Sequence, residues 1–360
     1  MYKVYADDEL IYSPDLVDDG YLITSSTLTK EENKSGTFQF NIYSNNPYYN
    51  SLHALKTRIL VKDGDEEIWR GRILSIDRDF DNRKTVSCEG VLSFFVDSII
   101  RPYEEKTCNM ETQFRYYIEQ HNSQMEDYKK FTIKEITVED PYGAKKWENS
   151  SYVKTKDVID EILDDYGGYI VIGYENGQNT ISYLKDPGKR TNQVINFGEN
   201  LLDITESINP ENVFTVLIPI GYNANGDKIT IESVNGGKDY LESEEGISKY
   251  GKVFYEHTFD VDISTAQELK DKGQEFLDKN IKASHTISIK AVDLHKIDPT
   301  IERIDVYYVI EVKSEPHNIN EYEMCSKVTI NLDSPESSEY VIGTIPEGIT
   351  SIIAEQNSNK

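Results

Sequence analysis

Cysteine is nearly missing from this chain. Only Cys88, Cys108 and Cys325 occur in 360 residues, an odd number, widely spaced and without a Cys-x-x-Cys pair. That leaves no basis for a disulfide framework or a structural zinc site. It fits folding in a reducing compartment, with each thiol a small buried hydrophobe. Long apolar runs are missing too. The longest candidates, such as Ile218 to Tyr222 and Val306 to Val312, are strand-sized, well below the roughly 18–20 residues of a membrane-spanning helix. The opening Met1-Tyr2-Lys3-Val4-Tyr5-Ala6-Asp7-Asp8-Glu9 puts acid where a secretory signal carries its apolar core. Positive charge is scarce. Lys and Arg total 38 against 64 Asp and Glu, a net charge of −26. Tight nucleic-acid binding needs cations that displace phosphate counterions, and an anionic membrane surface attracts basic patches. Neither partner is expected, and no membrane association.

What is present points to strands. Hydrophobic residues make up 38% and charged residues 28%, the mix of a folded chain with a polar surface. Its length predicts two to three domains. The 25 tyrosines and 12 phenylalanines, with many Ile, Val and Thr, favour extended structure. Thr37 to Ile42 alternates polar and apolar. Arg58 to Lys62 leads through an Asp63-Gly64 turn into Glu67 to Asp79, and an Asp81-Asn82 turn into Lys84 to Glu89. Such a meander is expected to close into a barrel or small sandwich, with Gly71 as the site of a bulge.

The spacing then changes. Gly90 to Ile100 carries Leu92, Phe95, Val96 and Ile99 at helical intervals. Asn109 is expected to cap a helix bearing Met110, Phe114, Tyr117 and Ile118. Thr155 is expected to cap another, stopped by Gly167-Gly168. Tyr169 to Tyr174 and Thr180 to Leu184 flank a hairpin turn. In the second half, Phe214 to Ile220 reads as a strand, Asn225-Gly226 as a turn, and Ser264 with Gln267 as a capping box. Strands return at Thr286 to Ala291, Arg303 to Lys313 and Ser326 to Leu332. Both halves thus repeat one plan, a strand-rich unit with a mixed attachment. The predicted class is α+β, strand-dominated. It has two barrel-like β domains (1–100; 201–221 with 281–345), two mixed lateral domains (101–200; 222–280) and a tail (346–360).

No catalytic constellation is legible. His53, His121, His257, His285, His295 and His317 show no His-x-x-x-His and no pairing with Cys, so scattered imidazoles are expected rather than a metal site. There is no Gly-x-Ser-x-Gly elbow. Gly246-Ile247-Ser248-Lys249-Tyr250-Gly251-Lys252 fits seven places of a phosphate loop. The eighth is Val253 instead of Ser or Thr, and a strand is expected to follow where a helix is needed, so a Gly-bearing loop is expected. Asn223-Ala224-Asn225-Gly226-Asp227 has a calcium-loop flavour but lacks the ligand register and distal Glu, and reads as a hairpin tip. Trp69, Trp147 and the tyrosines are candidate sugar-stacking platforms, against which stands ordinary core packing.

The order of several short runs resembles the N-terminal region of bacteriophage minor tail proteins of the prophage tail-hub (tail-associated endopeptidase) family. These runs are Trp69-Arg70-Gly71-Arg72-Ile73 through Cys88-Glu89-Gly90 to Ser98; Gly198-Glu199-Asn200-Leu201-Leu202-Asp203; Thr215 to Gly221; Tyr250-Gly251-Lys252-Val253; Ala291-Val292-Asp293-Leu294; and Asn331-Leu332-Asp333-Ser334-Pro335 closing on Ile342-Gly343. They span about residues 30–345. The resemblance implies a structural virion protein assembled in the bacterial cytoplasm. It would form a homotrimeric ring at the distal end of a tail, two barrel-like domains per chain giving a near-sixfold face. Its partners would be a distal tail or tail-tube protein and a fibre, spike or receptor-binding protein. DNA would pass through the bore without specific binding, repelled by acidic walls. The chain ends soon after Gly343, leaving no room for the family's peptidase region, so no enzyme activity, catalytic residue, cofactor or metal is expected. Ile349, Ile352 and Ile353 are expected to pack on a neighbour or to fray. The rival reading is a host-wall-degrading or saccharide-binding tail protein.

Overall fold

Short turns dictate the first architecture. In the computed structural model, which describes residues 1–140, 143–208, 213–223, 225–282, 285–298 and 300–343, the chain divides into two units. One is Met1–Leu202 with Lys290–Tyr340; the other is Asp203–Ile289 with Val341–Gly343. The first opens with β1 (Tyr2–Ala6), β2 (Glu9–Tyr12), β3 (Ile23–Glu31), β4 (Thr37–Ile42), β5 (Arg58–Asp63), β6 (Glu66–Arg78) and β7 (Lys84–Gly90). They lie side by side in the order β2-β1-β5-β6-β7-β4-β3, every neighbour antiparallel. Gly64 and Asn82 supply the left-handed turn residues between β5, β6 and β7. Inward-facing Val4, Ile23, Leu28, Phe38, Phe40, Ile59, Val61, Ile73 and Val86 form one core.

Gly71 is not the bulge. It pairs in register with Ile59 and Gly90, and the irregularities fall on either side, at Ile68 and Leu74. Its role is close approach. A Cβ on Gly71 would lie 2.1 Å from the Glu89 carbonyl oxygen and 2.6 Å from the Trp69 ring, and one on Gly90 would lie 1.7 Å from the Ser35 carbonyl oxygen. Gly36, Gly71 and Gly90 together make the slot that holds the Trp69 indole.

The attachment comprises β8 (Ile99–Ile100), β9 (Tyr103–Cys108), α1 (Met110–Gln124), β10 (Phe131–Ile136), β11 (Lys145–Asn149), β12 (Val153–Lys154), α2 (Thr155–Tyr166), β13 (Tyr169–Glu175) and β14 (Gln178–Leu184). Asn109 caps α1 as expected, its side chain accepting from Thr112 N–H. The expected helix over Gly90 to Ile100 is instead a 3-10 turn, Val91–Asp97, followed by β8. Val91, Leu92, Ser93, Phe94 and Phe95 are all buried, five in a row, which a one-sided amphipathic helix does not allow. Thr155 does not cap α2. Lys154 holds the cap position, and Thr155, the first helical residue, turns its N–H and hydroxyl to Ser98. Gly167 and Gly168, both at positive φ, end α2. Helices α1 and α2 pack on a sheet of β10 parallel to β14, with β13 antiparallel on its other side. Phe95, Phe114, Ile118, Ile159, Ile181 and Tyr183 fill the core.

After β15 (Lys189–Asn196) and β16 (Leu201–Ile208), the second unit has β17 (Val216–Tyr222), β18 (Lys228–Ile229), β19 (Leu241–Glu242), α3 (Glu244–Tyr250), β20 (Phe254–Asp262), α4 (Ala266–Lys282) and β21 (His285–Ala291). β17 is central, antiparallel to β18 and β19 and parallel to β20. Leu269 and Leu277 of α4 join Leu217, Leu241, Ile263 and Phe214 in a separate core. The chain then returns through β22 (Tyr308–Ser314), β23 (Ile319–Asn331) and β24 (Glu339–Gly343). β23 pairs antiparallel with β3 and β22, and β15 runs parallel to β22. The first seven strands therefore continue into an open, strand-dominated sheet. No helix among the described residues is long and apolar enough to cross a membrane.

Candidate functional site

Residues predicted to carry chemistry are dispersed or sealed. Among the described residues no group of His, Cys, Asp and Glu is placed to hold a metal. His53 is exposed, His257 lies among the Tyr255, Phe259 and Phe276 rings, and His285 opens β21. His295 donates from Nδ1 to the Ile301 carbonyl, and His317 Nδ1 meets Ser314 Oγ. All three cysteines are free thiols; Cys88 and Cys325 are buried, which pushes their pKa values up. Trp69 and Trp147 are each only 7% exposed, in two cores, so neither indole is a sugar platform.

The phosphate-loop stretch is a short helix rather than the expected loop. Ser243 caps α3 by accepting the Gly246 N–H at 3.0 Å, and the Lys252 ammonium pairs with Glu242 at 3.1 Å. The groups a phosphate would use are thus engaged. Asn223 Oδ1 likewise turns inward, accepting N–H groups from Asn225 and Asp227, both at 2.9 Å.

One arrangement that sequence reading missed has the outline of a hydroxyl–imidazole pair. Ser98 Oγ lies 2.7 Å from His121 Nδ1 and 2.7 Å from Thr155 Oγ1. His121 Nε2 lies 2.9 Å from the Lys129 carbonyl, which can only accept, so Nε2 carries the proton. Burial lowers the His121 pKa and keeps the ring neutral. All three side chains are at most 1% exposed. A nucleophile must reach its substrate, so this is a buried polar bridge tying the end of the Val91–Asp97 turn to α1 and α2.

The residues that carried the family resemblance have a common physical role: they join the quoted runs to one another or to distant chain. Arg72, 4% exposed, binds Glu89 at 2.7–2.8 Å and Asp97 through both terminal nitrogens, and Lys129 reaches Asp97 at 3.0 Å. Burial alone would raise the Asp97 pKa; hydrogen bonds and charge from Arg72 and Lys129 outweigh it and lower the pKa. Thr215 Oγ1 donates to the Gly251 carbonyl at 2.7 Å and accepts the Val253 N–H at 2.9 Å, joining the Thr215 run to the Tyr250 run. The Asn200 carbonyl accepts the Val292 N–H at 2.9 Å. Asp333 accepts both the N–H and the hydroxyl of Ser26, at 2.9 and 2.8 Å, holding an irregular turn of β3 in which Ser25 has φ of 51°.

A further junction had no sequence signal. Asn33, between β3 and β4, accepts the Ile170 N–H at 2.8 Å, donates to the Gly168 carbonyl at 3.1 Å and gives its own N–H to Tyr307 Oη at 2.9 Å. Tyr307, at φ 72°, donates to the Ile170 carbonyl at 3.0 Å. Neither residue belongs to a periodic pattern.

Residues 189–353 match the family model described as prophage endopeptidase tail. The runs from Gly198 onward lie inside that span, and those from Trp69 to Ser98 lie outside it. No curated protein sequence matches the chain. Among solved structures, the 43 kDa tail protein of prophage MuSo2 from Shewanella oneidensis is similar over 96% of this chain and 98% of its own, with a TM-score of 0.67 at 14% identity. A tail protein from Neisseria meningitidis MC58 gives 95% of each chain, 0.64 and 11%. Prophage tail protein gp18 from Listeria monocytogenes EGD-e gives 99% and 98%, 0.57 and 15%. Two kinds of comparison thus meet on prophage tail proteins, as the order of sequence features implied.

Proposed function

We propose that this chain, tail-protein-like in fold and in its family match, is a structural hub of a phage tail. The observation that carries the reading is the similarity over nearly the whole chain to proteins described as phage tail proteins. In this reading three copies close into a ring at the distal end of the tail. Each copy contributes two related strand-rich domains (1–100; 201–221 with 281–345) and two lateral attachments (101–200; 222–280). One side of the ring meets the tail-tube protein and the other a fibre, spike or receptor-binding protein. DNA leaves through the bore. The net charge of −26 supports a wall that repels the phosphate backbone, so DNA slides instead of sticking. The segment 346–360, outside the described residues, is proposed to dock on a neighbour. Assembly takes place in the bacterial cytoplasm, and the work of the protein is shape, not turnover.

Immunogold labelling of intact virions tests the location. The expected result is label at the tail end distal to the head; label on the head, or none on the particle, overturns the proposal. Light scattering tests the ring, since three chains of 41.3 kDa give about 124 kDa, the closed cyclic form.

A further inference from the structure

Three Asn-Gly pairs occur in the chain, Asn176-Gly177, Asn225-Gly226 and Asn235-Gly236. Asn-Gly is the dipeptide most prone to spontaneous deamidation, because glycine leaves its backbone nitrogen unshielded. That nitrogen attacks the Asn side-chain carbonyl carbon, a C–N bond forms, and the carboxamide nitrogen leaves as ammonia. The succinimide so formed takes up water and opens to aspartate or isoaspartate. No oxidant or enzyme is needed. The rate depends on whether the glycine N–H and the carboxamide are free to meet.

The structure treats the three pairs differently. At Asn225 the Gly226 N–H donates to the Asn223 carbonyl at 2.8 Å, and the Asn225 N–H is held by Asn223 Oδ1 at 2.9 Å. At Asn235 the carboxamide itself is tied, donating to the Lys238 and Tyr240 carbonyls at 3.2 and 2.8 Å. Asn176 and Gly177 form the two-residue turn between β13 and β14, with φ of 52° and 82°, closed by the Glu175–Gln178 pair. Both are exposed, and a Cβ on Gly177 would meet nothing within 4 Å. Among the described contacts neither the Asn176 carboxamide nor the Gly177 N–H has a hydrogen-bond partner.

We infer that Asn176 is the chain's principal site of spontaneous deamidation, while Asn225 and Asn235 are protected by their loops. The product places a second carboxylate beside Glu175, which pairs with Lys134 at 2.6 Å. The isoaspartyl form lengthens the backbone within a two-residue turn and so disturbs the register of β13 on β14.

Incubation of the folded protein in warm, mildly alkaline buffer, followed by peptide mapping with isoaspartate detection, tests this. Asn176 is expected to convert first. Asn225 and Asn235 should lag by about fivefold for each hydrogen bond that must open. In the urea-unfolded chain the three rates should converge. The variant Asn223→Ala removes the side-chain acceptor over Asn225 and should speed conversion there while leaving Asn176 unchanged. Conversion at Asn225 or Asn235 as fast as at Asn176 in the folded protein overturns the inference. So does an ordering that persists in urea, which would trace it to sequence instead of fold.

Discussion

Arg72 keeps its charge under the surface because each end of its guanidinium has a carboxylate. Glu89 comes from the neighbouring strand and Asp97 from the turn that leaves the sheet. Trp69, three residues earlier, needs the opposite provision: three glycines that remove side chains from its path. The Trp-Arg-Gly-Arg run is thus legible as a packing device only when Cys88-Glu89-Gly90 is set beside it, which sequence order hides and strand pairing supplies. His121 makes a measurable case at this scale. Its folded pKa is depressed by burial, so the unfolded chain binds a proton first as pH falls. Stability therefore drops below the ordinary histidine value of about 6.5 and keeps dropping until the folded ring also protonates. Thermal melts across this range are expected to show a declining midpoint. In His121→Gln the slope from this residue should vanish, with a lower midpoint at neutral pH. An unchanged slope in the variant would assign the titration to another group.

Elements were legible where a local rule decides them. The turns at Asp63-Gly64, Asn82 and Asn176-Gly177, the Asn109 cap and the Gly167-Gly168 stop all depend on one or two residues whose backbone preferences outweigh their surroundings. Elements decided by distant contacts were misread. β23 begins at Ile319, seven residues before the expected Ser326, because Asn320, Glu321 and Glu323 hide a strand whose backbone is paired by β22. Arg303 to Tyr307 is not strand at all, since Tyr307 takes a left-handed conformation fixed by its hydroxyl contacts with Asn33 and Ile170. The cap of α4 is Thr265, one residue past the expected Ser264. Thr265 Oγ1 accepts the Glu268 N–H at 3.1 Å and the Glu268 carboxylate accepts the Ser264 N–H at 2.8 Å. Thr265→Ala is therefore expected to destabilise the chain by about 1 kcal/mol in urea unfolding. Ser264→Ala should be nearly neutral, because only its backbone takes part. The reverse ranking would restore the original capping assignment.

At the scale of the whole molecule, the histidines, the phosphate-loop stretch and the two tryptophans singled out in the sequence are not brought together into one site among the described residues. What remains is a set of joints inside each unit and a strongly acidic composition. The candidate site was illegible for a physical reason: joints such as Arg72–Asp97, Thr215–Val253 and Asn33–Ile170 use common residue types, and only their meeting across the fold gives them meaning. The charge now makes a demand on the proposed ring. Each copy brings a net −26, so closure sets like charges against each other unless the contact faces are locally basic. Repulsion between exposed charges reaches about 30 Å at 0.01 M salt and about 8 Å at 0.15 M. If the ring closes through apolar and hydrogen-bonded faces, the trimer fraction measured by light scattering should be smallest at low salt and rise as salt is added. A trimer strongest at low salt and dissolved by salt would instead place complementary charged patches at the subunit contacts, and the uniform-repulsion picture of the surface would have to be given up.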